Sequence, residues 1–135
     1  VATNERPKLA HVSFEGDSRA VLGSWPKAMK IDFGHALREM QQGLAATLEI
    51  RPMTSIGPGV FELKDSDDKT WYRMIYLARI DDVIYVLHCF DKDSRKTDRR
   101  DINIATKRLA NVKQRLMEER RNAKLKARKS TRTPY

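Results

Sequence analysis

Arg73 has the most unusual setting of any charged residue in the chain. It stands inside an apolar run, flanked by Trp71, Tyr72, Met74 and Ile75. A guanidinium in such a place either pairs with a carboxylate or holds an anion, because its planar fork of N–H donors fits carboxylate and phosphate alike. Strand alternation puts Trp71, Arg73, Ile75, Leu77 and Arg79 on one face. Glu62 and Lys64 alternate with Phe61 and Leu63, so they share a face of the preceding strand, and Glu62 is the natural partner for Arg73. The two roles are compatible, since a phosphate-binding arginine is commonly held by a carboxylate behind it. His88 lies in VIYVLHCF at 83–90 and by alternation shares a face with Ile84, Val86 and Phe90. It reads first as a hydrogen-bonded core histidine and second as a group able to move a proton near neutral pH. Lys92, Arg95 and Lys96 follow that strand as a cationic cluster whose plain reading is a solvated loop.

Other chemistry is missing from the sequence. There is no glycine-rich phosphate loop, nucleophile elbow or His-Glu zinc motif, and Gly57-Pro58-Gly59 reads as a turn. One cysteine (Cys89) and three widely spaced histidines (His11, His35 and His88) make a structural zinc site an unlikely use of the chain. No cofactor is expected. A lone cysteine, the lack of any apolar run near the ~18–20 residues that span a bilayer, and no stretch reading as a secretory signal together imply a cytoplasmic protein without a membrane partner.

The elements that would position these residues follow from periodicity. Residues 1–8 are a polar arm, and 9–14 form a short strand. Pro26 suits a helix first turn, and Met29, Phe33, Ala36, Leu37, Met40 and Leu44 form one stripe of a helix ending near Gly43. A turn at 56–59 leads into a strand from Val60, a polar connection at 65–68, a strand over 71–80, a tight turn at Asp81-Asp82 and a strand over 83–90. Three strands joined this closely make an antiparallel meander. Thr97 or Asp98 caps a last helix, with Asp101 in its first turn and Ile102, Ala105, Leu109, Val112 and Leu116 as its apolar stripe. The expected architecture is α+β: one small antiparallel sheet with helices packed on it.

Of the 135 residues, 27 are Lys or Arg and 18 are Asp or Glu, a formal charge of +9. Residues 1–91 hold 11 basic and 13 acidic residues, net −2, whereas 92–135 hold 16 and 5, net +11. The excess is thus confined to the last third, which suggests a polyanionic partner.

Several segments together resemble the RelE/ParE toxin superfamily of bacterial toxin–antitoxin systems, and within it the phage-derived, HigB-like group. They are RPMTSIGPGVFELK at 51–64, WYRMIYLAR at 71–79, VIYVLHCFDK at 83–92, and Lys96-Thr97 leading to Asp101-Ile102. The helix ending QQGL at 41–44 fits as well, so the likeness spans most of 9–117. It implies a RelE-like domain over 1–117, with about four strands and helices at its start and end, followed by a basic helix or tail at 118–135. It also implies cleavage of messenger RNA, in many members on a translating ribosome, and neutralisation by a helix-turn-helix antitoxin. By the same resemblance Arg73 contacts the scissile phosphate, Lys92 matches a basic residue used at the site, and Lys64 matches a basic position on the neighbouring strand and reads as an RNA contact. Glu62 is acidic where RelE is basic. The family often places a catalytic residue near the end of the domain. Here that segment offers Arg95, Lys96, Arg99 and Arg100, neither Tyr nor His, and these read as RNA contacts.

The implied reaction needs no metal: a 2′-hydroxyl attacks the adjacent phosphate and leaves a cyclic phosphate and a 5′-hydroxyl. Arg73 would stabilise the phosphorane, Glu62 or neutral His88 would take the proton, and Lys92 would act electrostatically, an ordinary lysine being a poor acid at neutral pH. Two alternatives remain: a non-catalytic inhibitor of DNA gyrase, as in the ParE arm, and a basic nucleic-acid-binding module. The second is weakened by a tail without interleaved aromatic residues.

Overall fold

A computed structural model describes residues 9–93 and 97–131. The sequence-predicted arm at 1–8, the cations Arg95 and Lys96, and the last residues of the tail lie outside them. The elements run β1 (His11–Phe14), α1 (Ser18–Ser24), α2 (Lys27–Gln41), β2 (Glu49–Pro52), β3 (Val60–Ser66), β4 (Trp71–Ile80), β5 (Val83–Lys92) and α3 (Arg99–Thr131).

The sheet is mostly antiparallel with order β1-β5-β4-β3-β2, so the meander β3-β4-β5 forms its centre. β1 joins β5 in parallel at one edge, and α1 and α2 carry the chain from β1 to β2 at the opposite edge. β2 is an added edge strand, a fifth where about four are expected. All four of its residues are exposed, and Pro52 ends it, so it carries no alternating apolar signal. α1 is also new; a seven-residue helix between Gly16 and Trp25 is too short to show a period. The β4–β5 turn is as tight as expected, with Asp81 and Asp82 both at positive φ (49° and 64°), the backbone of a two-residue hairpin that matches strand twist.

Two apolar layers flank the sheet. On one side α2 presents Met29, Phe33, Ala36 and Leu37 to Leu63, Met74, Tyr76, Ile84 and Val86, and Trp25 packs edge-on against Phe33 and Tyr72. Leu44, expected on this stripe, lies beyond the helix end and is exposed. On the other side α3 presents Ala105, Leu109 and Val112 to Ile75, Leu77, Tyr85, Leu87 and Phe90, and Met53, Ile56 and Val60 complete that core. The Asp98 carbonyl accepts the first bond of α3 from the Ile102 amide at 3.1 Å. α3 then continues without a break through Met117, although no side chain beyond Val112 is buried among the described residues.

One expectation about facing is corrected. A register shift between Ile75 and Tyr76 pairs Ile75 with His88 but Tyr76 with Val86. This bulge breaks the alternation, so Ile84 and Val86 pack on the α2 side while His88 and Phe90 face α3.

Candidate active site

Register fixes which charges meet. Lys64 pairs with Arg73 and Arg73 with Phe90; Glu62 pairs with Ile75 and Ile75 with His88; Ser66 pairs with Trp71 and Trp71 with Lys92. Paired residues point to the same side of a sheet. Glu62, Lys64, Arg73, His88, Phe90 and Lys92 therefore share the α3 face, in three adjacent rows near the start of α3.

Arg73 and Glu62 are both fully enclosed, at 0% exposure. Arg73 Nη1 lies 3.4 Å from Glu62 Oε1 and donates to Thr97 Oγ1 at 2.7 Å. The Thr97 hydroxyl in turn donates to Glu62 Oε2 at 2.7 Å. Lys64 Nζ approaches Glu62 Oε1 to 3.8 Å from a side chain that keeps 12% exposure. Of the two expected cap residues, Asp98 takes the cap position, and the Thr97 side chain closes a ring of three groups. Buried ions lose hydration worth several kcal/mol each, and their mutual attraction offsets this only when the geometry is good; here the ring gives each Glu62 oxygen a donor.

A second network lies beside the first. His88 Nε2 is 2.8 Å from Asp101 Oδ1, and Lys92 Nζ is 3.1 Å from Asp101 Oδ2 and also pairs with Asp98. Arg108 donates from Nη1 to the Leu87 carbonyl at 3.0 Å, and the same nitrogen is 3.4 Å from His88 Nδ1. Burial holds the His88 pKa below its ordinary 6.5, although Asp101 opposes the shift. A neutral ring with its proton on Nε2 satisfies both contacts. The ring stacks on Phe90, with centroids 5.0 Å apart and an interplanar angle of 19°. The Lys92 ammonium sits 6.0 Å from the same Phe90 centroid. Burial works against its charge, but Asp98 and Asp101 outweigh burial and raise its pKa above the ordinary lysine value. The Cys89 thiol points into the opposite core, where burial pushes it up to about 12, so it is inert as a nucleophile.

The sheet thus brings together Arg73, Glu62, Lys64, His88 and Lys92. Arg99 and Arg100 stand exposed in the first turn of α3. Arg95 and Lys96 are outside the described residues. Sequence reasoning missed Thr97 as a partner of Arg73, and it missed Arg108, which also reaches Asp17, just before α1, at 2.9 Å. Arg108 is separated from Leu109 by one position and looks like any solvated helix cation; nothing in the local pattern marks it. Among the described residues no group of His, Cys, Asp and Glu could hold a metal ion, and no helix is long and apolar enough to cross a membrane.

A family model described as "Phage derived protein Gp49-like (DUF891)" matches residues 20–110. The chain belongs to the Gp49-like family. That family stands in the RelE-like toxin–antitoxin context. No curated protein and no solved structure matches the chain. The Gp49-like span contains Glu62, Lys64, Arg73, His88, Lys92, Thr97, Asp101 and Arg108 and stops before the exposed end of α3.

Proposed function

We propose that this Gp49-like chain is the toxin of a toxin–antitoxin pair, of the HigB-like kind, and that it cuts messenger RNA without a metal. The observation that carries the reading is the placing of Lys64, Arg73 and Lys92 on one sheet face within two register rows. Family membership supplies the toxin context, and three convergent cations supply what a phosphorane needs.

In this reading Lys64 and Lys92, the two partly exposed cations, take the scissile phosphate, and Arg73 adds its positive charge from beneath. As the 2′-oxygen forms its bond to phosphorus, its proton passes to Thr97 Oγ1 while the Thr97 proton passes to Glu62. The bond from phosphorus to the 5′-oxygen breaks, Lys92 stabilises that leaving oxygen, and solvent protonates it. The products are a 2′,3′-cyclic phosphate and a 5′-hydroxyl. His88, with both ring nitrogens engaged, is a positioning residue here: it holds Asp101, which holds Lys92. The substrate is presented on a translating ribosome in the cytoplasm, and a helix-turn-helix antitoxin silences the site.

Inducible expression in bacteria with mapping of messenger 5′ ends tests this. Growth arrest and new codon-linked ends are expected, both lost in Lys92→Ala and in Arg73→Ala. Intact messages alongside inhibited supercoiling would point to gyrase instead. Undiminished cleavage by a folded Arg73→Ala protein would remove Arg73 from the mechanism.

A further inference from the structure

The net charge of +11 in the last third is not concentrated at the candidate active site. From Met117 to Ser130 every residue is exposed, yet α3 remains helical to Thr131. Within that stretch, residues 120–131 contain six Lys or Arg and no Asp or Glu. At 1.5 Å per residue, residues 117–131 extend the helix by about 22 Å beyond Leu116, the last apolar side chain packed on that core. Arg120, Lys124 and Arg128 recur at i, i+4 and i+8, so like charges stack one turn apart, an arrangement that weakens an isolated helix. Arg120, Arg121, Lys124 and Arg128 line a single shallow groove with Met117 and Leu125. The helix therefore presents a row of cations, spaced by its own pitch, on one side.

We propose that this exposed end of α3 is a phosphate-gripping surface for RNA, separate from the active site. Charge complementarity argues for a polyanion, and the pattern argues for nucleic acid over protein. Only two large apolar side chains, Met117 and Leu125, interrupt the polar surface, and they are more than two turns apart, so there is no continuous stripe for a partner helix. There is also no aromatic residue between 117 and 131 on which a base could stack. Contacts are therefore to the backbone, independent of sequence and steeply dependent on salt. The surface lies beyond the Gp49-like span at 20–110, as an attachment to the family domain rather than a part of it. The choice of RNA over DNA rests on the ribonuclease reading; the phosphate grip itself does not.

The test uses the full chain and a fluorescein-labelled RNA hairpin of 2′-O-methyl nucleotides, which can be bound but not cut. Anisotropy titrations are run over a range of salt concentrations. Replacing Arg120, Arg121, Lys124 and Arg128 together by Gln is expected to weaken binding at least tenfold at low salt and to flatten the salt dependence. Lys124→Gln alone is expected to lower the slope by about one. Far-UV circular dichroism confirms that the helix persists. Unchanged affinity and slope in the fourfold variant would overturn the proposal. So would retained RNA binding together with lost binding of a poly-glutamate peptide, which would assign the surface to an acidic protein. Because the 2′-O-methyl hairpin is bound but never cut, the loss in the fourfold variant is read without any cleavage, and a failed ribonuclease reading leaves this result distinct. A DNA hairpin of the same sequence is expected to lose affinity in the fourfold variant as well, because the contacts are to phosphates, and DNA binding left unchanged by that variant would overturn the phosphate grip.

Discussion

The two faces of the β3-β4-β5 meander are built from the same three strands, yet they solve different problems. Toward α2 the face is apolar except at the end far from the hairpin, where Asp65, Tyr72 and Asp91 form one row, and Phe33, Met74 and Val86 are wholly buried there. Toward α3 the face is apolar only at the hairpin end, and at the other end it buries Arg73, Glu62, His88 and Asp101. The first face is stabilised by area removed from water. The second must satisfy each charge with a partner, so it tolerates pairwise replacement but not single losses. A domain needing only stability would have no use for the second face. Its presence marks where function is to be sought.

The comparison breaks most visibly at single truncations. Arg73→Ala strands the Glu62 carboxylate in the interior and is expected to cost about 3–5 kcal/mol. Phe33→Ala is expected to cost about the same on the other face, by cavity formation. Urea unfolding measures both. The faces then separate in the double variant Glu62→Leu with Arg73→Met. There stability is expected to return to near the wild-type value or above it, while RNA cleavage stays lost. No comparable rescue exists for Phe33. A double variant as unstable as Arg73→Ala would show that the ring does not act as a closed unit.

Next in size is Lys92→Ala, expected to lower cleavage by about 10²–10³. Thermal unfolding is expected to shift less than in Arg73→Ala, because the buried Asp101 keeps His88 as its partner and Asp98 stays in water.

The pH dependence sharpens the contrast further. His88 is held neutral in the folded chain, with its pKa below 6.5. Below that pH the unfolded chain binds more protons than the folded one, so stability falls as pH drops. The slope contributed is at most about 1.4 kcal/mol per pH unit. Denaturant titrations between pH 7.5 and 5 check this, and His88→Asn is expected to remove that contribution.

The smallest effect is at the β4–β5 hairpin. Arg79 and Asp82 make a surface pair with Nη2 to Oδ1 at 2.5 Å. Arg79→Ala is expected to change stability by roughly 0.2–1 kcal/mol, since water screens the pair.

Much of this face was legible before any coordinates. An arginine within WYRMIY and an alternating Glu62 and Lys64 announce a charged strand face, because apolar context makes a charge conspicuous. The central strands and both long helices were legible for the same reason, each having a strong period. β2 and α1 were not, because an exposed edge strand and a two-turn helix bury too little to leave a pattern. The facing of Ile84 and Val86 was misread, because a bulge adds one residue to the count and no side chain announces it. Thr97 and Asp101 were read as helix-start residues. Their long-range partners lie 24 and 13 positions away, at distances that only the sheet register sets.

The most direct test of the account is cleavage by the purified protein. Ribosomes carrying a defined message are incubated with it in the presence of a chelator, and the new RNA ends are identified chemically. The account predicts cuts bearing a 2′,3′-cyclic phosphate and a 5′-hydroxyl, insensitive to the chelator and reduced at least a hundredfold in Lys92→Ala. An uncut message, or cuts that the Lys92→Ala protein makes as fast as the wild type, would contradict it.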